Sequence, residues 1–402
     1  MTRTLFTGGT VFDGTGAPPA AADVVVEGGR VVDVGPGLDG DVAVDCAGTT
    51  VLPGLVDCHV HVMLSSVDSL RMAYTPFSYA FYEAARNLQL TLAAGITTVR
   101  DAGGADLGVK QAVDDGLVVG PRMHISVAPL SITGGHGDEW VPSGTHLEFF
   151  VPHPGRPSGL VDGPDEVRRG VRQMLRAGAD VIKVHTTGGV LSPTDDPRHA
   201  HFSPAELDVM VAEATTQGRP VMAHAQGAAG ITNAVRAGIR SIEHGIYLDD
   251  EAIDLMLERG TWLVPTLSAP LAVIRAADAG ASIPEASMAK AREVVDVHQR
   301  SFAAAVEAGV RIAMGTDAAV VPHGTNLDEL PLMAAGGMSP ERVLAATTSS
   351  AAELLGLQDE IGRLAPGMRA DLVVVAGDAL VLDGLRSRIR EVWKDGVRVV
   401  GG

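Results

Sequence analysis

The chain has 402 residues, 46% of them apolar, so it can bury a large core, and global disorder is excluded. Its formal net charge of −18 argues against DNA or RNA as a partner, because phosphate binding needs a surplus of Lys and Arg on one face. Cys46 and Cys58 are the only cysteines, which makes neither a disulfide scaffold nor a Cys-x-x-Cys pair.

The first stretch, "MTRTLFTGGTVFDGTG", reaches Gly8 before any apolar run forms, so no signal peptide is expected. No run approaches the roughly 18 apolar residues of a membrane span. A cytoplasmic protein that does not enter membranes is the expectation. "TLFTGGTVFDG", "DVVVEGGRVVDVG" and "VAVDCAGTTVLPG" are β-branched runs separated by Gly and Asp, the texture of antiparallel strands and tight turns. The same texture returns in "ADLVVVAG" and "IREVWKDGVRVVGG". The two ends therefore predict one small β-sandwich domain, 1–52 plus 366–402, with 53–365 inserted into it.

The middle alternates. Short apolar runs fall at 55–62, 96–101, 123–130, 181–187, 220–225, 241–247, 261–267 and 311–317. Helix-period segments lie between most of them, as in "SPAELDVMVAEATTQG", where Ser203 suits the N-cap, Pro204 the first helical position and Gly218 the end. Ala94-Gly95, Ala177-Gly178, Ala237-Gly238 and Ala308-Gly309 supply further helix ends ahead of strands. Eight such alternations in about 310 residues predict an α/β fold, the (β/α)8 TIM barrel. One connection is longer: 131–163, rich in Gly, Pro and His, is expected to cover the barrel mouth.

Barrel enzymes carry their chemistry at the C-terminal ends of the strands, and the unusual residues fall there. His59 and His61 end the first strand two residues apart, so both imidazoles face one side and suit chelation of a cation such as Zn2+. Lys183 sits in "ADVIKVHTTGGV", a charge inside an apolar run, and an unpaired buried ammonium costs several kcal/mol. His224, His244 and Asp317 end the fifth, sixth and eighth strands. Singly, each has an ordinary role in packing or helix capping. Their shared position, six ligand-type residues at one end of five strands, points to a metal centre.

These residues carry a resemblance. "PGLVDCHVH", the lysine of strand four, "MAHAQG", "SIEHG" and "MGTDA" resemble the amidohydrolase superfamily of metal-dependent hydrolases. "ITTVRDAGG", "SITGGHGD", "IKVHTTGGVLS" and "HGTNLDEL" resemble its branch of Xaa-Pro dipeptidase-like, carboxypeptidase-like and ochratoxin-hydrolysing enzymes. The resemblance implies two divalent metal ions, with Zn2+ the first expectation, and Lys183 carboxylated to N6-carboxylysine as their bridge. His59, His61 and Asp317 would hold one ion, and His224 and His244 the other. A hydroxide bridging the metals is then the nucleophile, with Asp317 passing its proton to the leaving amine.

Around this centre, His136 in "TGGHG" is expected over the site, Tyr247 as a donor to the carbonyl oxygen, and Arg100 and His323 as holders of a substrate carboxylate. His185 stands where the branch more often has a small or apolar residue, and suits a partner that supports the metal centre, a substrate contact or packing. The implied reaction is hydrolysis of an amide or peptide bond, releasing a C-terminal amino acid from a dipeptide or N-acyl amino acid. The alternative is a non-peptide C–N bond, in a cyclic amide, urea, carbamate or xenobiotic amide. A non-catalytic scaffold would have lost ligands, and all six positions are filled. Imidazolonepropionase-like and cytosine-deaminase-like relatives generally use one metal without the strand-four lysine, so Lys183 separates this chain from them. The expected partner is a small-molecule substrate, and the expected assembly a homo-oligomer.

Overall fold

A computed structural model of the chain describes residues 2–141 and 143–401. Residues 1 and 402 of the expected small domain, and 142 of the long connection, lie outside the described residues.

The fold is α/β. Its centre is two sheets of parallel strands. The first holds β1 (Leu55–Val60), β2 (Ile96–Asp101) and β3 (Arg122–Ile125). The second holds β4 (Ile182–His185), β5 (Val221–Ala225), β6 (Ser241–His244), β7 (Trp262–Val264) and β8 (Arg311–Ile312). Each strand pairs with its sequence neighbour. β1, β2, β4, β5, β6 and β7 are buried throughout, as strands covered on both faces must be, which is why they read as largely apolar runs in which a charge stands out. Isolated parallel bridges, Leu130 with Val184 and Val60 with Ala318, join the two sheets at both edges.

Helices follow the strands as the sequence pattern demands. Ser203 caps the helix Pro204–Thr216 through a reciprocal bond, its backbone N–H donating to Glu206 at 2.7 Å. The four Ala-Gly pairs close four helices, and each Gly takes a positive φ of 82° to 96° that a side chain would resist.

The strands are shorter than the apolar runs that announce them. Val127, His244, Thr266 and Asp317 have φ of 70°, 73°, 52° and 61°, so four of the predicted strands curl at or just beyond their C-terminal ends. Non-glycine residues in that region are strained and cluster at functional sites.

Both chain ends form two further sheets. One orders Arg30–Gly35, Asp23–Glu27, Thr4–Thr7 and Val42–Asp45. The other runs from Val397–Val400 through Ile389–Lys394, Leu372–Ala376, Thr49–Pro53 and Thr10–Val11 to Ala20–Ala21. Not all of this is antiparallel as the texture suggested: Thr4–Thr7 pairs in parallel with Val42–Asp45, and Thr10–Val11 with Thr49–Pro53. Turn residues signal where strands end, but they carry no information on which strand pairs with which. Phe6 and Trp393, one from each sheet, meet edge to face at 5.1 Å inside a shared core with Val24, Val51 and Leu372. Among the described residues no helix is long and apolar enough to cross a membrane.

Candidate active site

A cavity of about 630 Å³ opens at the C-terminal ends of the parallel strands. His59, His61, Lys183, His224, His244 and Asp317 all line it, as do His136 and His185. The connection 131–163 supplies much of its wall, including Trp140, Phe149 and Phe150.

Each imidazole is aimed by a second group. His59 donates from Nδ1 to Glu243 Oε2 at 2.8 Å, and His61 from Nδ1 to the Gly103 carbonyl at 2.9 Å. Their Nε2 atoms are left facing Asp317 Oδ1, at 3.6 and 3.3 Å. His244 Nδ1 lies 2.7 Å from Thr266 Oγ1, and His224 donates from Nε2 to the Gly188 carbonyl at 3.1 Å. Such partners fix the tautomer and orientation of a metal-ligating histidine. Asp317 is presented by a turn that Asp57 holds: the Asp57 carboxylate accepts from Thr316 Oγ1 at 2.7 Å, Asn326 Nδ2 at 2.8 Å and the His59 amide at 3.1 Å.

The electrostatics suit a cation. Burial alone would raise Asp317, yet the hydrogen bond from His61 and the nearby His59 and Lys183 hold it down at about 2. Burial lowers His59, His224 and His244 well below the ordinary histidine value, so these rings keep a lone pair to offer. Lys183, 2% exposed, is brought down to about 8 by burial, against the pull of Glu243 and Asp317. The ligand atoms of His59, His244 and Asp317 lie within 4.8 Å of one another, a nitrogen, nitrogen and oxygen set that a divalent ion accepts.

A second group of histidines adjoins the first. His136 stacks on His224 at 4.4 Å and 24°, and its Nδ1 meets Asp195 Oδ2 at 3.2 Å. It lies over Gly189, where any Cβ would collide with the ring. His185 stands edge-on to both His136 and His224, at 5.0 and 5.3 Å.

Three residues singled out from the sequence are not brought to the cavity. Arg100 is buried among the strands, bonding Cys58 O at 2.6 Å, Ser241 Oγ at 3.1 Å and Glu243 Oε1 at 2.8 Å. His323 lies 2.9 Å from the Leu64 carbonyl and 3.4 Å from Thr91 Oγ1. Tyr247 points to Glu293 at 3.4 Å, because Gly245 follows His244 with a second positive φ and breaks the strand alternation. The residues missing from the sequence reading are Glu243, Asp57, Thr266, Gly188 and Asp195. Glu243 in "SIEHG" and Asp57 in "LVDCHVH" carried the same signal as Lys183, a charge inside a buried strand.

Fold and site together are those of hydrolases acting on carbon–nitrogen bonds. The chain belongs to the amidohydrolase family, whose profile matches residues 50–401; members of that family generally use a divalent metal. It is 38% identical to an ochratoxinase of Aspergillus niger over 367 residues, 86% of this chain and 75% of that one. Among solved structures it is similar to a Xaa-Pro dipeptidase with methionine bound in the active site, with a TM-score of 0.92, 34% identity and 100% of both chains covered. It is equally similar to a prolidase complexed with N-methylphosphonate-L-proline, at a TM-score of 0.92, 36% identity and 100% of both chains. The protein is an amide or peptide hydrolase.

Proposed function

We propose that the enzyme releases a C-terminal amino acid from a dipeptide or an N-acyl amino acid, ochratoxin-like amides included. The observation that carries this is the convergence of His59, His244 and Asp317 donors within 4.8 Å at the floor of a deep cavity, beside a buried lysine. The eight parallel strands are read as one closed (β/α)8 barrel, which the bridges at both sheet edges support. The sheets at the chain ends are read as a β-sandwich domain, 1–52 plus 366–402, set on a barrel domain 53–365; the shared Phe6 and Trp393 core supports that reading.

His59, His61 and Asp317 would hold one divalent ion, most simply Zn2+, and His224 and His244 a second, with Lys183 as N6-carboxylysine between them. Ions bound there supply Lewis acidity to the scissile carbonyl and acidify water. The chain does the rest. Asp317 takes a proton from the attacking water and delivers it to the leaving nitrogen. Glu243 and Thr266 keep His59 and His244 in register, and the 131–163 connection walls the site from bulk water. His136 lies over the cavity within reach of a polar substrate group.

A panel on the Zn2+-loaded protein tests the reading. Turnover of dipeptides or N-acyl amino acids is expected, with Asp317→Asn lower by about a thousandfold or more. Turnover confined to ureas, carbamates or lactams would replace it with the non-peptide reading.

A further inference from the structure

The wall of the cavity built from the ends of β4 and β5 holds a polar group with no assigned task. His185 is 7% exposed, and its Nδ1 is buried with no hydrogen-bond partner among the described residues. That nitrogen and Cε1 lie against Gly137, about 3.0 and 3.1 Å from where a Cβ would stand, so a side chain at 137 would crowd the ring. The opposite edge, with Nε2, is left for the cavity that His185 lines. With no acceptor at Nδ1, Nε2 is the ring nitrogen that can donate to a group in the cavity.

The surroundings say what this donor meets. Among the described residues no arginine lines the cavity, and the one lysine is Lys183. Gln226, just past the end of β5, also lines the cavity, and its Oε1 is likewise buried and unpartnered. On the other side Phe150 packs on His61, ring centroids 5.5 Å apart. The cavity lining thus combines hydrogen-bonding side chains at the ends of β4 and β5 with the aromatic rings Trp140, Phe149 and Phe150 of the 131–163 connection, which also brings Asp138, Glu139 and Glu148.

We propose that His185 is a specificity-determining residue, donating from Nε2–H to the α-carboxylate of the leaving amino acid, with Gln226 beside it. This rests on the proposed release of a C-terminal amino acid. A hydrogen bond to a charged partner is worth about 1.5–3 kcal/mol, so its loss weakens binding about tenfold or more.

Calorimetric titration of Zn2+-loaded full-length protein with L-leucine and with 3-methylbutylamine, which differ only by the carboxylate, tests this. His185→Met is expected to bind L-leucine at least tenfold more weakly than wild type and the amine unchanged. His185→Gln, which keeps a donor at the same reach, should recover most of the loss. Metal content equal to wild type certifies the site, and His185→Leu replaces the Met variant should that not fold. Undiminished L-leucine binding, equal losses for acid and amine, or no L-leucine binding to wild type would each overturn the assignment. Hydrolysis of dipeptides with C-terminal leucine and of N-acetyl-leucine by wild type is scored separately. Its absence sinks the proposed function, whereas its presence with L-leucine binding unaffected in His185→Met sinks only the role of His185.

Discussion

Glu243 binds His59 with one carboxylate oxygen and Arg100 with the other, each at 2.8 Å and each buried. The arrangement explains why a positive charge stands inside the strands. Arg100 balances a carboxylate that orients His59, a proposed ligand, and Ser241 Oγ adds a third bond to it at 2.6 Å. Removing one partner of a buried pair leaves the other charge uncompensated, at about 3–5 kcal/mol. Glu243→Gln is therefore expected to lower unfolding stability by several kcal/mol and metal affinity by about 10–100-fold. Denaturant titration and competition with a metal-binding dye measure the two. Unchanged metal affinity would contradict the orienting role.

Thr266 stands to His244 as Glu243 does to His59, at 2.7 Å, but as a neutral partner held at a positive φ. Thr266→Val keeps the shape and removes the hydroxyl. Binding of the second ion proposed for His224 and His244 should weaken by about tenfold while the fold persists. Stoichiometric metal titration reads this as a change in the second equivalent only; a loss spread over both ions would place Thr266 differently.

Lys290 reaches from the helix Glu285–Ala308 into the 188–195 segment, donating to Gly189 O at 2.6 Å and Asp195 O at 2.9 Å. It thereby holds Asp195 against His136 and the Gly188 carbonyl under His224. Lys290→Met is expected to lower kcat/KM about tenfold at wild-type metal content, with Asp195→Asn showing part of the same loss. Steady-state kinetics alongside metal analysis checks it; full activity in both variants would show that the segment holds itself.

Glu329 gives a pH signature outside the site. Its carboxyl accepts from the Leu267 and Ser268 amides at 2.6 and 2.8 Å, yet burial pushes it up to about 7. A carboxyl whose folded value is raised contributes stability that is present below its unfolded value, near 4.5, and lost as pH rises through 7. The difference corresponds to about 3 kcal/mol. Wild type should lose stability between pH 5 and 8 relative to Glu329→Gln, by urea denaturation at each pH. Parallel profiles would contradict this.

How much of this was legible beforehand depended on periodicity. Apolar runs with intervening helix signals mark the order of strands, because burial on both faces favours apolar residues at most strand positions. The residues that line the cavity are legible because most sit where runs end and Lys183 interrupts one. Tyr247 was misplaced because that inference extended a strand past His244, where two left-handed residues turn the chain. Arg100 was misplaced because a sequence shows a charge but not its counter-charge, and Glu243 is 143 residues away. The pairing of the terminal strands was illegible for the same reason: register and direction are set by partners distant in the chain.

Lys183 is the residue on which the account turns. Metal analysis of wild type and Lys183→Ala, with and without added short carboxylic acids, tests it most directly. Two ions per chain are predicted for wild type, falling sharply together with amide hydrolysis in the variant, and both partly restored by the acid. Full metal content and undiminished activity in Lys183→Ala would contradict the carboxylated lysine and the two-ion centre it is proposed to bridge.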